Sequence, residues 1–211
     1  MRCAKIRVLS LVISAAVGWA SASWAQPPSF SPDYDLLIVR AVLRYWPDYP
    51  QPLAYKAQLY QESRLDPAAR SPVGAQGIAQ FMPATWREVM LQLRMGTASA
   101  YDVAPAIYGG ALYMAQQRRF PDWRDWPEPE RHRMAQAAYN AGAGNIRRAL
   151  RLCAVGGEGT SWARVALCLP DVTGDHAAET ITYVARIAQW QKLMEGRGPM
   201  EGAGSMTEEG E

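Results

Sequence analysis

Apolar residues recur at helical spacing along the middle of the chain. Ser31, Pro32 and Asp33 place a capping hydroxyl before a proline suited to a first turn, and Ile38, Ala41, Val42 and Tyr45 follow on one stripe. Pro47 and Pro50 end that helix. A second is predicted from about Pro52 to Glu62, with Leu53, Ala57 and Tyr60 on its apolar face. Pro83 opens a third, in which Trp86, Val89, Met90 and Leu93 fall at i, i+3, i+4 and i+7. The pattern returns at Ile107, Gly110, Ala111 and Met114, and again at Ile146, Ala149, Leu150 and Cys153. A last helix is predicted from about Asp175 to Met194, carrying Ile181, Val184, Ile187 and Trp190. No stretch sustains alternation of period two with β-branched enrichment, and no repeat has a fixed period. The expectation is a compact all-α domain of about seven short helices, with glycine loops at Gly74–Gly77 and Gly142–Gly144 placed where a cleft could be lined.

Composition supports one such domain. The chain has 211 residues, 49% apolar and 20% charged, which suits a single core and is short for two. Mean hydropathy is −0.22, and only one long apolar run occurs, against a polytopic membrane protein. That run is N-terminal. Arg2, Lys5 and Arg7 precede an apolar stretch from Val8 to Ala20, and Ser23 and Ala25 put small residues where a signal peptidase reads. Residues 1–25 are therefore expected to be a signal peptide; an uncleaved anchor helix is the alternative, against which the run is short. Cleavage removes three of the 22 basic residues and none of the 20 acidic ones, leaving a formal charge of −1. Residues 195–211, with five Glu and one Arg among glycines, are expected to form a disordered tail. The domain, residues 26–194, is then mildly basic, too weakly to imply nucleic acid.

Cys3 would leave with the signal, so Cys153 and Cys168 remain. An even count in an exported chain is met most simply by one disulfide between them; two buried thiols are the alternative. Of the common catalytic patterns, zinc-spaced histidines, phosphate-binding glycine loops and a nucleophile elbow are all missing. The histidines, His132 and His176, have no recognisable context. Carboxylates remain. Glu62 ends an apolar-striped helix, where shelter from water would raise its pKa as a general acid at neutral pH requires. Read locally, it could equally be a solvated surface residue.

Four motifs in order change that balance. Glu62 and Ser63 are followed by the run Gly74 to Trp86 (GAQGIAQFMPATW), then Ala138 to Gly142 (AYNAG), then Glu179 and Thr180 with Tyr183 and Val184. In this order and spacing the chain resembles the soluble lytic transglycosylase family, whose domain is goose-type-lysozyme-like, over roughly Leu53 to Trp190. The resemblance implies a lysozyme-like domain with a substrate cleft and assigns roles by position. Glu62 matches the single catalytic acid, and Ser63 the hydroxyl that orients acid or substrate. Gln80, Phe81 and Met82 match a segment lining the sugar cleft, Tyr139 and Asn140 the cleft residues of the later motif, and Glu179 and Tyr183 the C-terminal pair supporting the site. Phe81 and Tyr183 could each be core or cleft; the glycines read as turn and packing residues. Two departures stand out: Ala106 replaces an Asn that usually precedes Ile107, removing one polar contact, and Ala79 replaces a larger apolar residue.

The implied reaction is non-hydrolytic cleavage of the bond between N-acetylmuramic acid and N-acetylglucosamine in peptidoglycan, leaving a 1,6-anhydromuramyl end, with Glu62 as acid and then base. No metal or organic cofactor is implied. Asp66, the nearest second carboxylate, precedes Pro67 and reads as a turn residue. Trp86 and Trp190 lie on apolar stripes, whereas Trp123 and Trp126, in a proline-bounded loop, could stack on sugar rings. The expected partner is the peptidoglycan strand, met by a monomer in the periplasm or beyond it, without nucleic acid or a lasting membrane anchor. A lysozyme-like hydrolase, and a non-catalytic wall-binding component of a secretion or flagellar assembly, are the competing readings.

Overall fold

The computed structural model describes residues 28–153 and 161–200. The expected signal peptide lies outside the described residues, as does the expected tail from residue 201 onward. Among the described residues the secondary structure is helical: α1 (Asp35–Tyr45), α2 (Pro52–Ser63), α3 (Pro83–Leu93), α4 (Val103–Arg118), α5 (Glu130–Ala141), α6 (Ala143–Cys153), α7 (Trp162–Cys168), α8 (Pro170–Thr173) and α9 (Ala177–Glu195). A single 3₁₀ turn, Gly174–His176, leads into α9. None of the described helices is long and apolar enough to cross a membrane.

The predicted helices α1, α2, α3, α4, α6 and α9 all form, and the proline starts of α2 and α3 sit at their first turns. α2 is the axis of the fold. Its residues Ala54 to Tyr60 are all buried, between α1 on one side and α9 on the other. Lys56 survives there because Asp35 of α1 meets its ammonium at 2.5 Å, both side chains being buried. Removing either partner would strand a charge, at a cost of about 3–5 kcal/mol. Tyr55 of α2 reaches across to α4: its Oη donates to Ile107 O at 2.6 Å, and a Cβ on Gly110 would lie 2.3 Å from that hydroxyl, so the contact favours glycine there. Trp46 Nε1 donates to Ala111 O at 2.9 Å and ties α1's end to the same helix.

Beside this core, buried Arg118 is held by Asp48 and Glu128, each at 3.0 Å, and Arg131 bonds the same two carboxylates. His132 packs against this cluster, where burial and the neighbouring guanidiniums push its pKa down to about 3. It is a neutral core residue. Cys153 and Cys168 are bonded, with their Cα atoms 5.9 Å apart, joining the ends of α6 and α7.

Two placements differ from expectation. Trp123 is fully buried, stacked on Phe120, with its Nε1 donating to Gln117 O at 2.8 Å; it is core and not a sugar platform. Trp126 is half-buried against the same core and does not reach the cleft described below. At the C-terminus the chain stays packed past Met194: Met200 is buried, and Arg197 lies 4.8 Å over the Phe30 ring.

Candidate active site

Glu62 and Ser63 occupy the last turn of α2, after which Arg64 and Leu65 take left-handed backbone (φ 61° and 65°) and swing the chain out. Asp66 closes the turn, its carboxylate accepting from Ala68 N at 2.8 Å. Residues 64–82 then fold back over the helix end. Ser63 Oγ donates to Ile78 O at 2.8 Å, fastening this loop to α2. Gly77 has φ +72°, and a Cβ there would sit 1.8 Å from Ala100 O, so glycine alone allows the loop to seat. Gln80 also takes left-handed backbone (φ 48°), held by its own amide, which donates to Gly77 O at 2.9 Å and Ala69 O at 3.3 Å. A non-glycine residue kept in that region is a strain marker common at functional sites.

Two other helices complete the wall. Tyr139 of α5 donates its hydroxyl to Ala79 O at 2.8 Å, and Asn140 Oδ1 accepts from Thr180 Oγ1 of α9 at 2.7 Å. Tyr183 of α9 donates to Glu62 Oε1 at 2.5 Å. Trp190, two turns on, donates to Gln61 Oε1 at 2.9 Å. Together these elements enclose a cleft of about 640 Å³. Of the residues singled out in the sequence, Glu62, Gln80, Met82, Tyr139, Asn140, Glu179 and Tyr183 line it.

Phe81 and Ser63 do not. Phe81 is 2% exposed, with its ring 5.1 Å from Trp86 and 6.3 Å from Tyr139. Phe81 pairs its backbone with Gln76, and the left-handed turn at Gln80 separates the two side chains: Gln80 and Met82 reach the cleft while Phe81 enters the core beside Tyr139. Ser63 donates its hydroxyl to backbone carbonyls and holds the loop. Tyr183 is both core and cleft: its ring is buried and its hydroxyl meets Glu62. Gln61, Ser71, Val73, Ala75, Ala178, Thr182 and Arg186 also line the cleft and were missed. Thr182 and Arg186 follow Glu179 at spacings of three and seven, a periodicity that could have found them; Ser71 and Val73, in an irregular loop, have no such signal.

Ala79 is fully buried and closely faces Gly110, which leaves little room for a larger side chain. Ala106 is likewise fully buried, in the first turn of α4.

Electrostatically the cleft favours a neutral acid. Burial pushes the Glu62 carboxyl from an ordinary 4.5 up to about 8; the Tyr183 hydrogen bond opposes this and the Glu179 charge adds to it. The Tyr139 and Tyr183 phenols are driven well above their usual range, first by burial and then by the Glu62 charge, so both stay protonated. Because Tyr183 donates to Oε1, the proton of neutral Glu62 belongs on Oε2. Such a group can give a proton at neutral pH and, once ionised, is held by the Tyr183 hydroxyl until it takes one back.

The model of the transglycosylase SLT domain family matches residues 51–154, which include Glu62, Gln80, Tyr139 and Asn140. Among curated relatives, membrane-bound lytic murein transglycosylase F 2 of Alkalilimnicola ehrlichii is 30% identical over 151 residues, 65% of this chain and 32% of its own. Membrane-bound lytic murein transglycosylase F of Thiobacillus denitrificans is 34% identical over 125 residues, 59% of this chain and 25% of its own. The chain thus spans a third or less of these relatives' length. An inactive mutant of the lytic transglycosylase Slt from Pseudomonas aeruginosa superimposes with a TM-score of 0.61 over 81% of this chain and 26% of that one, at 23% identity. The 70 kDa soluble lytic transglycosylase of Escherichia coli gives 0.54 over 79% of this chain and 25% of its own, again at 23% identity. With the family model spanning the α2, loop and α5 residues of the cleft, and the same fold in these neighbours, the chain belongs to the soluble lytic transglycosylase family.

Proposed function

We propose that the protein is a peptidoglycan lytic transglycosylase, cleaving the β-1,4 bond between N-acetylmuramic acid and N-acetylglucosamine without water. The observation that carries this reading is the sheltered Glu62 carboxyl, protonated at neutral pH inside an open cleft. The family's curated relatives are named for murein transglycosylation, which supplies the substrate class.

Glu62 would donate its proton to the glycosidic oxygen as that bond breaks and positive charge develops on the muramyl ring. The muramyl N-acetyl carbonyl, rather than a second carboxylate, would stabilise the anomeric carbon. Glu62, now charged and hydrogen-bonded by Tyr183, would take the proton of the muramyl 6-hydroxyl as its oxygen closes on the anomeric carbon. The bond broken is C1–O4, the bond formed is C1–O6, and the acid ends as it began. Tyr139, Asn140, Gln80 and Met82 would shape the sugar subsites. The N-terminal basic-apolar stretch supports export to the periplasm, where the Cys153–Cys168 bond is stable.

The test is digestion of purified sacculi by the wild type and by Glu62→Gln, with products read by mass spectrometry. Anhydromuramyl products from the wild type alone are expected. Reducing-end products, heavier by one water, would make the protein a hydrolase. Equal release by Glu62→Gln would remove Glu62 from the chemistry.

A further inference from the structure

We infer that Arg186 anchors an acidic group on the glycan, so that the cleft selects strands bearing muramyl carboxyl chemistry over neutral N-acetylglucosamine polymers. The inference rests on the glycan-cleaving reading above and names what that site discriminates.

Among the described residues lining the cleft, Arg186 is the one cationic side chain. It is exposed, and no ion pair engages it among the described residues. Arg118, Arg131, Arg133 and Arg147, away from the cleft, are each bound to a carboxylate, whereas Arg186 is placed in the cleft without one. Arg186 follows Tyr183, the partner of Glu62, by one helical turn of α9. Glu179 precedes Tyr183 by one turn and lines the same cleft. Glu179 and Arg186 are seven residues apart, about 10 Å along the helix axis, too far to neutralise each other. The cleft therefore has an anionic end and a cationic end, with the Tyr183–Glu62 pair between them.

A polymer of N-acetylglucosamine carries no charge and gains nothing from this layout. A muramyl unit carries a lactyl group that is either a free carboxylate or the attachment point of a stem peptide with carboxylates of its own. Either source gives an anion that a guanidinium can take with two parallel hydrogen bonds. Glu179 repels the same anion at the other end, so the pair of charges also sets the direction in which a strand lies across Glu62.

The test measures binding in a Glu62→Gln background, so that ligands stay intact. The probes are soluble glycan strands with stem peptides, the same strands stripped by an amidase to free lactyl carboxylates, and chitin oligosaccharides. Adding Arg186→Gln is expected to weaken binding of the anionic strands roughly tenfold at low salt, with the difference shrinking as salt rises, and to leave chitin binding where it was. A loss confined to stem-bearing strands identifies the stem carboxylates as the anion; one confined to stripped strands identifies the lactyl group. Equal weakening toward all three probes, or none toward either anionic strand, overturns the inference. Failure of the Glu62→Gln protein with Arg186 intact to bind any probe counts instead against the glycan reading itself.

Discussion

Replacing Tyr183 by Phe isolates the hydrogen bond that opposes the upward drift of Glu62. The hydroxyl donates to Oε1 at 2.5 Å, and it stabilises the carboxylate more than the neutral acid. A hydrogen bond to a charged group is worth about 1.5–3 kcal/mol, and 1.36 kcal/mol moves a pKa by one, so its loss should raise Glu62 by about one to two. Starting from about 8, the carboxyl would then titrate between about 9 and 10. The acid form must be present for the first proton transfer, so kcat/KM should hold its plateau to higher pH and fall later. The plateau itself should drop by about tenfold, because a weaker and less fixed acid donates less readily. Sacculus-solubilising activity from pH 5 to 10, with the Glu62 carboxyl followed in parallel by carbon NMR, reads both effects. An alkaline limb that stays in place or moves to lower pH would show that Tyr183 only packs against the site.

Two further outcomes follow from the same geometry. Glu62→Gln should stabilise the fold, and increasingly so as pH rises. The native carboxyl titrates near 8 and the unfolded one near 4.5, so its contribution is fully present below pH 4.5 and is lost as pH climbs toward 8. By pH 7 the wild type has lost about 3 kcal/mol that the Gln variant keeps, at about 1.4 kcal/mol per pH decade. Urea unfolding at pH 5 and pH 7 checks this, and a variant whose advantage does not grow with pH refutes it. Gly77→Ala should cost about 3 kcal/mol or more, since its Cβ would enter the Ala100 carbonyl and its φ is positive. A melting temperature within a few degrees of wild type would mean that the loop seats some other way.

What could be read from the chain depended on hydrophobic contrast. α3 was legible because Trp86, Val89 and Met90 stand out against polar neighbours. α5 was not, although it carries Tyr139 and Asn140: its buried residues are His132, Met134, Ala135, Gln136, Ala137 and Ala138, in which Met134 is the one large apolar side chain and leaves no stripe. Those two site residues were reached by motif resemblance and not by periodicity. Trp123 misled for the converse reason. Proline-bounded and among charges, it looks like an exposed loop residue, yet the Gln117 carbonyl and the Phe120 ring hold it inside. Phe81, open between core and cleft in the sequence, goes to the core, because the left-handed turn at Gln80 is not announced by any pattern in that glycine-rich run. The Tyr183 contact joins residues 121 positions apart, which no local pattern encodes.

The features that make Glu62 a usable acid all run against stability. Gln80 is held in left-handed backbone that a glycine would adopt freely. Gln58, one turn before Glu62, is a buried amide, 1% exposed, that hydrogen-bonds the Tyr183 side chain. Holding the Glu62 carboxyl buried and protonated costs about 3 kcal/mol at neutral pH. These features sit within one turn of α2 and the loop above it, whereas the charge of Lys56, earlier in the same helix, is met by Asp35. A core selected for stability alone would carry an apolar residue at 58 and no acid at 62. Keeping both near Tyr183 places an amide and a phenol around the carboxyl, which lets it be neutral when substrate arrives and charged after the bond breaks. The cost of burying Glu62 therefore falls on the proton-transfer step itself, and the surrounding helices supply the rigidity that holds the carboxyl in place.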